Sequence, residues 1–522
     1  MLLTKAISDV LQRTRTSCLP QSRCQSHWVR AMLMVAIATG LLACSTSVAQ
    51  TQPAPLAKNV ILMISDGTGW FSWDAASYYE YGELGHQPYD AFPVKIPLTT
   101  FPAVIGEGEN RKAHPGYDPA KAWDTTPIEP EGDSKHYFAG YRYLKHLPTD
   151  SAASATAYAT GVKTYNAAIS VGLDGQPLVT IAELAKEHGK AAGVISSVPL
   201  SHATPAAFAA HNENRNNYAQ IGREMIMKSK LDVIMGAGHP LFDDEGKPRA
   251  EADVNAYRYI GGNWTWRQLT GERRRTTWTL IETRDQFEQL AADPASAPER
   301  ALGLPQNGNK LQTTGAVADD QRTTPDLATM ARGAINVLSR NPNGFFLMIE
   351  GGAPDWAAHA NDLEMLVHEL VDFNHAVAAV CQWVEENSSW DQTLVIVTTD
   401  HGNGLLLGPD SDKMFFQPIV NNGKGQLPGA RWHTGNHTNA LVALWAKGAG
   451  AELLAKYATG EDQGLGQYVP GWGPAYADST DVFKVMYEAL LGTAPAPVTP
   501  PTMTQPASVL PAEQPATAPT SY

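Results

Sequence analysis

NVILMISDG, residues 59–67, is an apolar run that stops abruptly at an acid, Asp66. The same shape recurs twice. FFLMIEGG (345–352) stops at Glu350, and TLVIVTTDHG (393–402) stops at Asp400 and His401. Two more short apolar runs, Ala191–Ser196 and Ala440–Ala446, complete the set. Nearly continuous apolar runs of this length suit strands buried on both faces. Helical patterns lie between them at 180–190, 326–339 and 363–386. Strands alternating with helices predict an α/β fold: a central, mostly parallel sheet flanked by helices on both faces.

In such a sheet, ligands bind at the carboxyl ends of the strands. Three strands that each deliver an acid to that edge would be costly without cations, because a half-buried carboxylate must be paired or metal-bound. One such Asp alone would read as a cap or turn residue, but the set reads as a metal site. Asp355 and His359 stand at i and i+4 in APDWAAHAND, so on a helix they share a face and can hold one ion. Ser151 opens a run of small residues, DSAASATA, that suits a tightly packed helix start. A serine there meets free backbone N–H groups and the positive end of the helix dipole. A plain N-cap is the commoner use of such a serine. No histidine is arranged in sequence as a triad base, so activation would fall to metal.

These segments resemble the alkaline phosphatases. DSAASATAYATGVKTYN is similar to the family's nucleophile segment and NVILMISDGTG to its first metal strand. HATPAAFAAHNENRNNY (202–218), SRNPNGFFLMIEGGAPDWAAHAND (339–362) and TLVIVTTDHGN (393–403) follow in family order. The resemblance implies hydrolysis of phosphate monoesters through a phosphoserine on Ser151, with two Zn²⁺ and one Mg²⁺. It implies Asp66, Asp400 and His401 as ligands of one zinc, and Asp355, His359 and a third histidine as ligands of the other. His433 and His437 compete for that last place. His437 is preferred because it directly precedes TNALVALWAKG, whereas His433 lies four residues earlier, beyond a Thr-Gly turn. The magnesium set is Asp66, Glu350 and Thr204, with His202 where some members carry Asp. Arg215 resembles the bidentate phosphate clamp, Asp150 would orient it, and Trp356 would shape the mouth. Two departures stand beside Asp66: Ser65 for the usual Gly, and Thr68 for a common Met.

A phosphodiesterase or another metal-dependent hydrolase of the same superfamily is the alternative, although such relatives commonly use Thr or a modified Cys where this chain has DSAAS. A secreted phosphate- or metal-binding protein without turnover is a rival of another class. A net charge of −14 excludes any general affinity for nucleic acid and requires local positive charge where an anion is to bind. Substrate and product would be small phosphate monoesters and inorganic phosphate.

Residues 1–49 read as a leader, with five basic residues against one acid before the apolar stretch 31–43. Cleavage after Ala49 competes with a lipobox reading that lipidates Cys44. Either predicts a periplasmic or extracellular protein, lipid-anchored in the second case. Cys381, in a helical pattern, is then the one clearly mature cysteine, so no intramolecular disulfide framework is expected. The catalytic domain is expected over 50–492. Stretches 101–148 and 240–325 read as insertions that rim the site or form an oligomer contact such as a homodimer. The tail, 493–522, with eight prolines, is expected to be disordered.

Overall fold

The computed structural model describes residues 54–106, 110–129, 137–271, 275–311 and 323–493. The leader with Cys44, and the tail beyond Thr493, lie outside them. Eleven strands form one sheet. In chain order they are β1 (Asn59–Ser65), β2 (Val94–Thr99), β3 (Ala191–Pro199), β4 (Val233–Ala237), β5 (Thr279–Ile281), β6 (Ala301–Gly303), β7 (Phe345–Gly351), β8 (Thr393–Thr398), β9 (Val442–Gly448), β10 (Gly460–Glu461) and β11 (Ala475–Asp478). Their order across the sheet is β10-β11-β2-β9-β8-β1-β7-β3-β4-β6-β5.

From β8 to β5 every neighbouring pair is parallel. The central run shows why its strands read as continuous apolar segments. Val60, Leu62 and Ile64 enter the core on one face of the sheet, while Ile61 and Met63 enter the core on the other. Helices α1 (Trp70–Tyr81), α6 (Leu327–Leu338) and α8 (Leu363–Asn387) cover the second face. Helices α2 (Ser151–Thr160), α3 (Ile181–Glu187) and α9 (Ser479–Leu491) cover the first.

Register positions the acids. In the β1–β7 ladder Ile64 pairs with Glu350 and Ser65 with Gly351, and in the β1–β8 ladder Ile64 pairs with Thr398. Asp66, Glu350 and Asp400 therefore leave three adjacent strands at one edge, where parallel strands lie about 4.8 Å apart.

Two expectations need correction. The stretch 240–325 is more than a covering insertion, because it supplies β5 and β6, which extend the sheet. Each is three residues long, too short to show a period in sequence. The run Ala440–Ala446 enters the sheet only at Val442, and its strand, β9, runs antiparallel to β8. That reversal is what brings the start of β9 to the edge that holds Asp400. Cys381 is a half-buried free thiol on α8, which burial pushes up to about 12.

Candidate active site

Asp150 caps α2, its Oδ1 accepting from Ala153 N at 3.0 Å. Ser151 is thus the first helical residue and not the cap, which leaves its hydroxyl free for other work. The hydroxyl is buried, and its Oγ lies 3.3 Å from His401 Nε2. This is no Ser–His–Asp triad. The same Nε2 also faces Asp400 Oδ2 at 3.2 Å and Asp66 Oδ1 at 3.6 Å, while the Nδ1 atom that a triad acid would hold has no hydrogen-bond partner. Burial, reinforced by the charge of His437, keeps the His401 ring neutral, well below its ordinary range.

A second group gathers beside it. Helix α7 (Ala353–Ala360) presents Asp355 and His359, and a short ladder pairs His437 with Asn403. His437 Nε2 lies 3.0 Å from His359 Nε2 and 3.3 Å from Asp355 Oδ1. The other nitrogen of each ring is committed: His437 Nδ1 donates to Thr149 O at 2.9 Å, and His359 Nδ1 donates to Gly435 O at 2.7 Å. Two imidazoles whose protons are on Nδ1 present lone pairs to each other and to a carboxylate. A cation between them, or a proton on one Nε2, satisfies all three. Burial resists ionisation of Asp355, but the neighbouring His437 ring, by charge and hydrogen bond, outweighs it and holds the carboxyl well below the usual range. Asn403, unnoticed in the sequence, donates to Asp355 Oδ1 at 2.7 Å and fixes it. Gly67, at φ +69°, allows the close approach, since a Cβ there would meet Asp355 Oδ1 at 2.6 Å.

His433, the competing histidine, goes elsewhere. It is buried against the Tyr141 ring at 4.7 Å, with Nε2 2.8 Å from Ser411 Oγ. Its side chain is therefore not turned to solvent. His437 also does not directly abut β9, because residues 438–441 intervene.

The donor chemistry fits metal ions. Asp66 Oδ1, Glu350 Oε1, Asp400 Oδ2, His202 Nδ1 and Thr204 Oγ1 are buried atoms without a hydrogen-bond partner among the described residues. Burial, with the charges of Asp400, Asp355 and Glu350, pushes Asp66 well above the carboxylate range. Burial likewise pushes Glu350 up to about 7 and Asp400 to about 6. Carboxylates stressed in this way are relieved by cations. Two sets have donor atoms that all lie within 4.8 Å of one another: Asp355, His359 and His437, and Asp66, Asp355 and His401. His202, Glu350 and Asp400 fall outside both. His202 stacks on Tyr218 at 5.9 Å and stands edge-on to Trp356 at 5.6 Å. Glu350 Oε2 accepts from the Ser196 hydroxyl, a partner that the Ser196–Glu350 register places and the sequence reading missed.

Arg215 Nη1 donates to Asp150 Oδ2 at 3.0 Å, so the clamp candidate is oriented from the residue next to Ser151. The two departures beside Asp66 explain each other: the Ser65 and Thr68 hydroxyls are 2.7 Å apart and buried together.

The family model described as alkaline phosphatase matches residues 108–440. Alkaline phosphatase 4 of Bacillus subtilis (strain 168) is 34% identical over 279 residues, 52% of this chain and 53% of that protein. The chain therefore spans about half the length of that relative. Alkaline phosphatase H of Pseudomonas aeruginosa (strain UCBPP-PA14) is 32% identical over 385 residues, 68% of this chain and 71% of that protein. Among solved structures, the cold-active enzyme of a psychrophilic Shewanella sp. superposes with a TM-score of 0.56 at 24% identity, covering 83% of this chain and 99% of its own. The Thermus thermophilus alkaline phosphatase gives 0.55 at 19% identity, over 91% and 95%. Both share the fold.

Proposed function

As the chain belongs to the alkaline phosphatase family, we propose that it hydrolyses phosphate monoesters with Ser151 as the nucleophile. The observation that carries this reading is the Ser151 hydroxyl, held at the start of α2 and 3.3 Å from a histidine among unsatisfied carboxylates. Asp355, His359 and His437 would hold one zinc ion, and Asp66, Asp400 and His401 another. Asp66, Glu350, Thr204 and His202 would hold magnesium. When bound, such ions supply Lewis acidity and make a hydroxyl or water nucleophilic at neutral pH.

The chain's own residues do the rest. Ser151 Oγ attacks phosphorus, and the bond to the ester oxygen breaks. The alcohol leaves with the serine proton. Water then adds to phosphorus, the Ser151–phosphorus bond breaks, and Oγ regains a proton as phosphate departs. Arg215, held by Asp150, pairs its guanidinium with two phosphate oxygens, and the N–H groups at the start of α2 face the developing charge. The basic leader supports export to the periplasm or beyond, with Cys44 lipidated on one of its two readings. Among the described residues, no helix is long and apolar enough to cross a membrane.

A matched pair of chromogenic substrates tests the reaction class. The p-nitrophenyl monoester should be preferred over the bis-p-nitrophenyl diester by kcat/KM. Preference for the diester would replace this reading with the phosphodiesterase one.

Arg215→Ala should weaken inhibition by inorganic phosphate and lower turnover while metal content stays at the wild-type level. A charged hydrogen bond of this kind contributes roughly 1.5–3 kcal/mol, or about 10- to 150-fold in the inhibition constant. Unchanged phosphate affinity would put the clamp elsewhere.

A further inference from the structure

Behind the wall formed by His202 and Trp356 stands a second arginine to which the monoesterase reading assigns no task. Trp356 lies between Asp355 and His359 in sequence, and its ring meets His202 edge-on at 5.6 Å. His202 stacks on Tyr218 at 5.9 Å, and Tyr218 meets Tyr259 edge-on at 5.0 Å. Arg258 lies over the Tyr259 ring at 4.5 Å and donates from Nη2 to the Tyr259 hydroxyl at 2.7 Å. This row of rings leads outward from the catalytic cluster to an exposed guanidinium.

Arg258 is held without being neutralised. It sits in the short 3₁₀ helix Val254–Ile260, between Tyr257 and Tyr259, both buried. That turn is pinned to the neighbouring helix Tyr218–Met227, where Arg223 Nη2 donates to Gly261 O at 3.3 Å. Among the described residues no carboxylate pairs with Arg258, whereas Arg215 has Asp150. Among the described residues its one hydrogen bond to a protein group, to the Tyr259 hydroxyl, leaves most of its five N–H donors available. In a chain of net charge −14, an unpaired cation fixed beside an anion site bears on which substrates that site takes.

We propose that Arg258 is a specificity-determining residue that binds a second phosphate group on the substrate, outward of the phosphate held by Arg215. This rests on the monoesterase reading, and it makes bisphosphorylated small molecules the favoured substrate class. Arg258 takes no part in bond breaking.

The test compares kcat/KM for fructose 1,6-bisphosphate and fructose 6-phosphate in the wild type, Arg258→Ala and Arg258→Lys, with thermal melting as a fold control. An exposed charged contact is modest, so the bisphosphate-to-monophosphate ratio should fall about fivefold in Arg258→Ala, mainly through KM. Arg258→Lys should recover part of it, and in the wild type added salt should compress the ratio. An unchanged ratio, or equal losses on both substrates, overturns the proposal. Failure of the wild type to hydrolyse even a simple chromogenic monoester would instead bring down the monoesterase reading, and this inference with it.

Discussion

Ser151→Ala is expected to reduce steady-state monoester hydrolysis by roughly 10³-fold or more, in keeping with loss of a catalytic nucleophile elsewhere. The protein should remain folded. The Ser151 Oγ makes no contact that holds α2 in place, because the helix is capped by Asp150 and anchored by Ser154 Oγ, which donates to Asp400 O at 2.7 Å. Alanine suits a helix N-terminal turn that is already mostly alanine. Metal content should be retained, because Ser151 contributes one neutral oxygen beside a complete set of histidines and carboxylates. Phosphate should still bind through Arg215. Wild-type turnover in a folded, metal-replete Ser151→Ala protein would remove the nucleophile from this account.

The two nearby histidines give the second large contrast. His437→Ala should lose zinc from the group formed with Asp355 and His359, and lower activity by on the order of 10²-fold or more, beyond the 10- to 100-fold typical of losing a partner that merely supports a ligand. The reason is geometric. His437 Nε2 faces both other donors, and its ring stacks on His401 with centroids 3.6 Å apart. His433→Ala should keep its metals. Its ring fills a buried place beside Tyr141. Ser411 Oγ donates to Gly408 O at 2.6 Å, so His433 Nε2–H donates to Ser411. Removing that bond and the packing around it should cost about 1–3 kcal/mol of stability and show as a lower Tm. Zinc lost on His433→Ala alone would reverse the assignment.

The sequence made the centre of the fold and most of the site legible, for one reason. Strands buried on both faces are apolar throughout, so the acid that ends each one stands out, as at Asp66, Glu350 and Asp400. Helices Leu327–Leu338 and Leu363–Asn387 were similarly readable because they are long and periodic. The margins were not. Strands β5, β6, β10 and β11 have two to four residues each, too few for a period to emerge. The supports of the site were hidden for a different reason. Asn403 and Ser196 reach Asp355 and Glu350 through pairings across strands, and the carbonyls of Thr149 and Gly435 that orient His437 and His359 carry no sequence signature at all. The structure brings His437, and not His433, beside Asp355 and His359, and its ring arrives on a two-residue ladder and not directly on the sheet strand.

The most direct test of the central claim is metal content and monoesterase activity measured on the same sample, before and after chelation. The isolated protein should contain about two Zn²⁺ and one Mg²⁺ per chain, one for each donor group assigned above. Chelation should abolish p-nitrophenyl phosphate hydrolysis, and Zn²⁺ with Mg²⁺ should restore it. Full activity in a sample verified to be free of metal would contradict the account.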